Sequence, residues 1–170
     1  MENSKAKKAA FFGIMVALAF TFSYFESLIP FNIGIPGVKL GLANLVVVIA
    51  LYFYGIKAAF PIALIRILLA GFTFGNVNSL LYSLAGGILS LLVMWAVKNT
   101  KLSVIGVSIL GGVTHNIGQL AAAALLMNTA RIIYYLPVLL VAGTVTGFLI
   151  GTAAKLTLDK LDKINKKPSD

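Results

Sequence analysis

The chain has no cysteine, one histidine and only five acidic residues among its 170. Four of those acids, Glu2, Asp159, Asp162 and Asp170, lie near the two ends, which leaves Glu26 as the sole carboxylate of the body. Without cysteine there is no disulfide, no thiol nucleophile and no thiolate-ligated iron–sulfur cluster. With only His115, a multi-histidine metal site cannot be built. No glycine-rich loop ending in Lys-Ser or Lys-Thr is present, so the chain carries no ATP-hydrolysing site of its own. The sequence calls for no cofactor.

What it has in abundance is apolar surface. Hydrophobic residues make up 59% of the chain, charged residues only 11%, and mean hydropathy is +0.98. A soluble domain of this size has too little interior to hide so much apolar surface. The expectation is an all-α membrane protein of six transmembrane helices, about Ala9–Phe25, Leu40–Tyr54, Ala58–Phe74, Ser79–Val97, Leu102–Met127 and Ile132–Ala154. The second and third are short for a span of roughly 20 residues, which suggests tilt or partial re-entrance. A loop from Glu26 to Lys39 is broken by Pro30, Gly34, Pro36 and Gly37 and is not helical. No second domain is evident, so residues 1–170 read as one transmembrane domain with a basic segment at 1–8 and a basic, amphipathic tail at 155–170. The first apolar run is as long as a spanning helix and is followed by no small-residue cleavage site. It reads as a retained helix and not as a signal peptide.

Positive charge fixes an orientation. With six spans, Lys5, Lys7, Lys8, Lys57, Lys98, Lys101 and all five lysines from Lys155 onward fall on one side, against Lys39 and Arg131 on the other. Basic residues flanking membrane helices stay cytoplasmic, so both termini are expected inside, in the plasma membrane. The net charge is +9, and more than half of the basic residues lie in the two end segments. It reads as a topology signal and an attraction to anionic lipid, not as a nucleic-acid surface.

Two kinds of residue stand out within the spans. Small residues recur every four positions in helix 1 (Ala9, Gly13, Ala17) and in helix 6 (Gly143, Gly147, Gly151). Such stripes allow close helix approach in lipid, either within the protein or against a partner. Polar side chains in the bilayer are expensive and are functional candidates. Arg66 falls near mid-span, with Glu26 its one available internal carboxylate; it reaches a polar cavity or ligand anion, or it snorkels. Helix 5 carries Thr114, His115, Asn116 and Gln119, suited either to a ligand or proton relay or to tying helices together. Lys39 and Asn44, with Asn76, Asn78, Tyr82, Arg131 and Tyr134 at the same level, outline the mouth of an outward, positively charged cavity. The candidate ligand-binding set is Lys39, Asn44, Arg66, Tyr82, His115, Asn116 and Gln119. Tyr24, Phe25, Tyr52, Tyr54, Trp95 and Tyr135 fit an interfacial aromatic belt.

Three segments carry a resemblance. They are Pro36-Gly37-Val38-Lys39-Leu40-Gly41-Leu42-Ala43-Asn44, Leu81-Tyr82-Ser83-Leu84-Ala85-Gly86-Gly87 and Gly111-Gly112-Val113-Thr114-His115-Asn116-Ile117-Gly118-Gln119. They are similar to motifs of the membrane family called "Gx transporter" or "heptaprenyl diphosphate synthase component I". Over nearly the whole chain the pattern also resembles the substrate-binding S components of energy-coupling-factor (ECF) transporters. The resemblance implies a six-helix bundle and a small-molecule or lipid-like ligand held in an outward cavity. It implies an ECF-type coupling subunit docked on the Ala9, Gly13 and Ala17 stripe, with separate ATPases. The family label also points to polyprenyl diphosphate and demethylmenaquinone metabolism, and members are linked with flavin-based extracellular electron transfer. Prenyl synthases hold magnesium diphosphate on two aspartate-rich motifs. This chain has no aspartate before Asp159, so catalysis of that chemistry is not expected from it.

Overall fold

The computed structural model describes residues 2–28 and 41–165. These residues form six α-helices and one 3-10 helix, with no strand among them: α1 Glu2–Leu28, α2 Leu42–Phe53, α3 Ile56–Phe74, α4 Val77–Val97, α5 Val104–Leu126, the 3-10 helix Ala130–Tyr135, and α6 Leu136–Asn165. Five of them are long and apolar enough to cross a membrane; α2 is the exception. Its 12 residues reach about 18 Å at 1.5 Å per residue, against a hydrocarbon layer of ~30 Å.

Several boundaries differ from the sequence reading. α1 continues back through the basic segment to Glu2 and forward to Leu28, past Glu26. α2 starts at Leu42 and not at Leu40, because Gly41 adopts φ +74°, a left-handed conformation that breaks the helix. Asn76 accepts from Ser79 N at 2.8 Å and so starts α4 two residues early, at Val77. Helix 6 does not begin at Ile132: the chain winds as a 3-10 helix through Tyr135 before the α-helix starts at Leu136. As far as residue 165 the amphipathic tail continues α6, which runs unbroken to Asn165 with Ala154 and Leu158 buried and Lys155 and Lys160 exposed.

α2 is short because it is enclosed. Ala43, Val46, Val47, Val48, Ala50 and Leu51 are all buried, and α1, α3 and α6 pack around it. The core joins Val46, Val47, Val48, Ala50 and Leu51 to Ala19, Ala59, Ile62, Leu91, Met94, Val107 and Ile150. α4 and α5 pack on each other and on their chain neighbours α3 and α6, completing the ring. At the terminal-bearing end, Lys98 Nζ donates to the last-turn carbonyl of Leu51 at 3.2 Å, a cation at a helix C-terminus. The outer faces carry large apolar side chains such as Ile14, Phe72, Leu92, Val141 and Phe148, as a lipid-facing surface requires.

The two small-residue stripes do different things. A Cβ on Gly143 would sit 2.8 Å from Gly112 O, one on Gly147 2.6 Å from Ile109 Cα, and one on Gly151 2.8 Å from Ile105 Cα. The α6 stripe is therefore the seat of α5, an internal contact. On α1, Ala9, Gly13 and Ala17 are all exposed, and nothing lies within 4 Å of a Cβ placed on Gly13.

Candidate functional site: a polar cavity at the loop end of the bundle

At the end of the bundle away from the Lys98–Leu51 contact, four helix ends surround a cavity of ≈ 320 Å³. α1 contributes Ser23, Glu26 and Ser27; Gly41 and Asn44 come from the start of α2, and Arg66, Ile67, Ala70, Gly71 and Phe74 from the second half of α3. Gly75 and Asn76 close the turn, and Ser79, Ser83 and His115 enter from α4 and α5. The wall at Phe74 is braced from α1 by Phe20, stacked at 5.2 Å, and by Tyr24 at 5.6 Å.

Its polar centre is built from the sequence outward. The left-handed Gly41 turns the chain into α2, and Asn44 N bonds back to Gly41 O at 2.8 Å. Asn44 thus stands in the first turn of α2, where its Oδ1 accepts from Arg66 Nη2 at 2.6 Å. Arg66 Nε is buried and has no hydrogen-bond partner. A guanidinium offers five donors in a fixed plane, so much of its capacity to hold a planar anion is unused. Glu26 accepts from the backbone N–H of Gly41, joining the end of α1 to the start of α2. Its charge also acts on Arg66. Among the described lining residues, the formal charges are one cation and one anion. Lys39, on which the expected positive excess also rested, lies outside the described residues.

His115 reaches the cavity because α4 lets α5 close in. A Cβ on Gly86 would meet His115 O at 2.6 Å and Gln119 Cγ at 2.7 Å, and one on Gly118 would meet Ala85 O at 2.9 Å.

The structure brings Asn44, Arg66 and His115 into one cavity. Asn76, expected at the mouth, lines it too, and the other described candidates lie elsewhere. Asn116 is buried against α6 and donates through Nδ2 to Leu139 O at 2.7 Å, while Thr114 bonds back to its own helix at Leu110 O. Gln119 is buried beside Gly86, with Oε1 lacking a hydrogen-bond partner. Tyr82 is half-buried and outside the lining; Arg131 and Tyr134 are exposed on the 3-10 helix. Lys39 lies outside the described residues, as does most of the Pro36–Asn44 motif. Sequence reading missed Ser23, Ser27, Ser79 and Ser83. Only their recurrence on helix ends facing one level of the bundle hinted at a shared polar surface.

These features define a class: a multi-pass helical membrane protein with a polar, charge-bearing cavity opening at one end of its bundle. The profile of one family, heptaprenyl diphosphate synthase component I, matches residues 15–157, and the chain belongs to that family. Comparison with curated proteins and with solved structures returns no match.

Proposed function

We propose that this family member is a membrane substrate-binding protein of the S-component kind, which captures a small polar ligand in the cavity between α1, α2, α3 and α4. The observation that carries the reading is Arg66, held by Asn44 on one nitrogen and offering buried, unpartnered Nε beside the cavity. A guanidinium in a membrane protein is costly unless it is put to use. Here it is oriented and left with donors to spare. In this reading both termini lie in the cytoplasm and the cavity mouth faces outside, in the plasma membrane; the lysine distribution supports it.

Transport would need an energising partner, because the chain has no nucleotide-binding loop. The exposed Ala9, Gly13 and Ala17 face on α1 is suited to close contact with another membrane helix. An ECF-type coupling subunit with two ATPases fits that role. Purification from the host membrane in mild detergent, followed by mass spectrometry of the associated proteins, tests it. The wild type should carry the coupling subunit and ATPases, and a Gly13→Leu, Ala17→Leu double variant should lose them while remaining folded. Retention of the partners by the double variant would remove this face from the interface.

The family's description favours a second reading, a non-catalytic membrane subunit in polyprenyl diphosphate or quinone metabolism. In that reading Arg66 would hold a diphosphate or quinone head group. The cavity argues against its enclosing the tail. Its ≈ 320 Å³ equals about ten water-sized volumes at ~30 Å³ each, far short of a seven-isoprene chain, and its walls carry four serines. In this reading, a soluble prenyl synthase would replace the ATPases in the purified complex.

A further inference from the structure

We infer that the ligand of this cavity is a small zwitterion, with its carboxylate or phosphate on Arg66 and its ammonium or other cationic group on Glu26. The inference rests on the ligand-capture reading above and narrows it. Arg66 and Glu26 line the same cavity, and among the described residues each makes one side-chain hydrogen bond. Arg66 spends one donor on Asn44 Oδ1 and keeps a buried, unpartnered Nε. Glu26 accepts the Gly41 N–H on Oε1, and a carboxylate has further lone pairs on its second oxygen.

A purely anionic ligand would gain from Arg66 and be repelled by Glu26; a purely cationic one would meet the reverse. The two side-chain charges already act on each other; a ligand bearing both signs keeps that balance, whereas a ligand of one sign upsets it. Size and rim agree. The ≈ 320 Å³ cavity holds about ten water-sized groups; Ser79 and Ser83 add hydroxyls that both donate and accept, and Ser23 and Ser27, whose O–H groups are given to Ala19 O and Tyr24 O, add acceptors. Glu26 is then the specificity-determining residue. It selects against the simple anions that Arg66 alone would accept.

The test is calorimetric binding to the purified full-length protein, with probes matched in skeleton and differing in charge. The zwitterions are glycine, β-alanine, γ-aminobutyrate, phosphoethanolamine and phosphocholine. Each amine-bearing zwitterion is paired with its N-acetyl form, which keeps only the anion. The three amino acids are also paired with their amides, which keep only the cation. At least one zwitterion should bind, with its single-charge analogues at least about tenfold weaker, since each strands one charge of the site. Glu26→Gln keeps a carbonyl oxygen for the Gly41 N–H and removes only the charge, so this variant should bind the N-acetyl form as well as the zwitterion.

Failure to bind any zwitterion overturns the inference. So does an N-acetyl probe that binds the wild type as tightly as its parent. If that N-acetyl binding is lost in Arg66→Gln, the ligand-capture reading survives without the zwitterion. If Arg66→Gln binds every probe as the wild type does, both readings fall. The matched probes decide on the wild type alone should Glu26→Gln not fold.

Discussion

Arg66 and Asn116 illustrate two fates of a polar side chain within the same bundle. Asn116 has its amide committed to Leu139 O on α6, so it serves assembly. A bond of this kind between membrane helices contributes about 0.6 kcal/mol, up to roughly 1.7. Asn116→Ala should lower unfolding stability by about 1 kcal/mol, measured by denaturant titration in mixed micelles, and leave ligand affinity unchanged. A loss of affinity without a loss of stability would reassign Asn116 to the site. His115, its neighbour in sequence, points elsewhere because successive helical residues are about 100° apart. That rotation is why the run Thr114-His115-Asn116 could be recognised as polar and yet not be sorted by role. Arg66, Asn44 and His115 were legible because charge and amide stand out against leucine and valine. The four serines were not. A serine in a helix can bond to its own backbone, as Ser23 does to Ala19 O and Ser27 to Tyr24 O, so its presence says nothing about which face meets a cavity.

Among the elements, glycine spacing proves less informative than glycine surroundings. The stripes on α1 and α6 look alike in sequence, but a side chain added at Gly147 would collide with backbone atoms of Ile109 and Ser108 at 2.6 and 2.7 Å. Backbone cannot step aside as a flexible side chain can. Gly147→Leu should therefore abolish the folded, monodisperse species on size-exclusion chromatography. Gly13→Leu, with nothing within 4 Å of its Cβ, should elute and melt like the wild type. A well-folded Gly147→Leu protein would refute the close α5–α6 packing. Helices 4 and 5 were placed within two residues of their observed ends because apolar periodicity is continuous there. The 3-10 winding at Ala130–Tyr135 was not foreseen, since Ile132 and Ile133 extend the apolar run of α6 without a break in composition. The burial of α2 was likewise hidden, because its composition is that of any short span, and only its packing against α1, α3 and α6 reveals its central place.

At the level of the whole molecule, the proposed orientation rests on the lysine distribution, and the lack of cysteine makes it unusually simple to check. Single cysteines introduced at exposed Asn76 and exposed Lys101 can be labelled in intact cells with a membrane-impermeant maleimide. Asn76→Cys should react at once and Lys101→Cys only after permeabilisation. The reverse pattern would put the cavity mouth in the cytoplasm and exclude capture from outside. The family name speaks of a synthase component, but the body of this chain offers Arg66, Glu26, Asn44 and His115 around a small polar cavity, and no aspartate precedes Asp159 in its sequence.

The most direct measurement is native mass spectrometry of the protein freshly purified from its host, wild type beside Arg66→Gln, with both ejected from the detergent micelle. The wild type should carry a small polar adduct that the variant lacks while keeping the same charge-state distribution. A bare wild-type protein, or an adduct of prenyl-chain mass that persists in Arg66→Gln, would contradict a ligand site centred on Arg66.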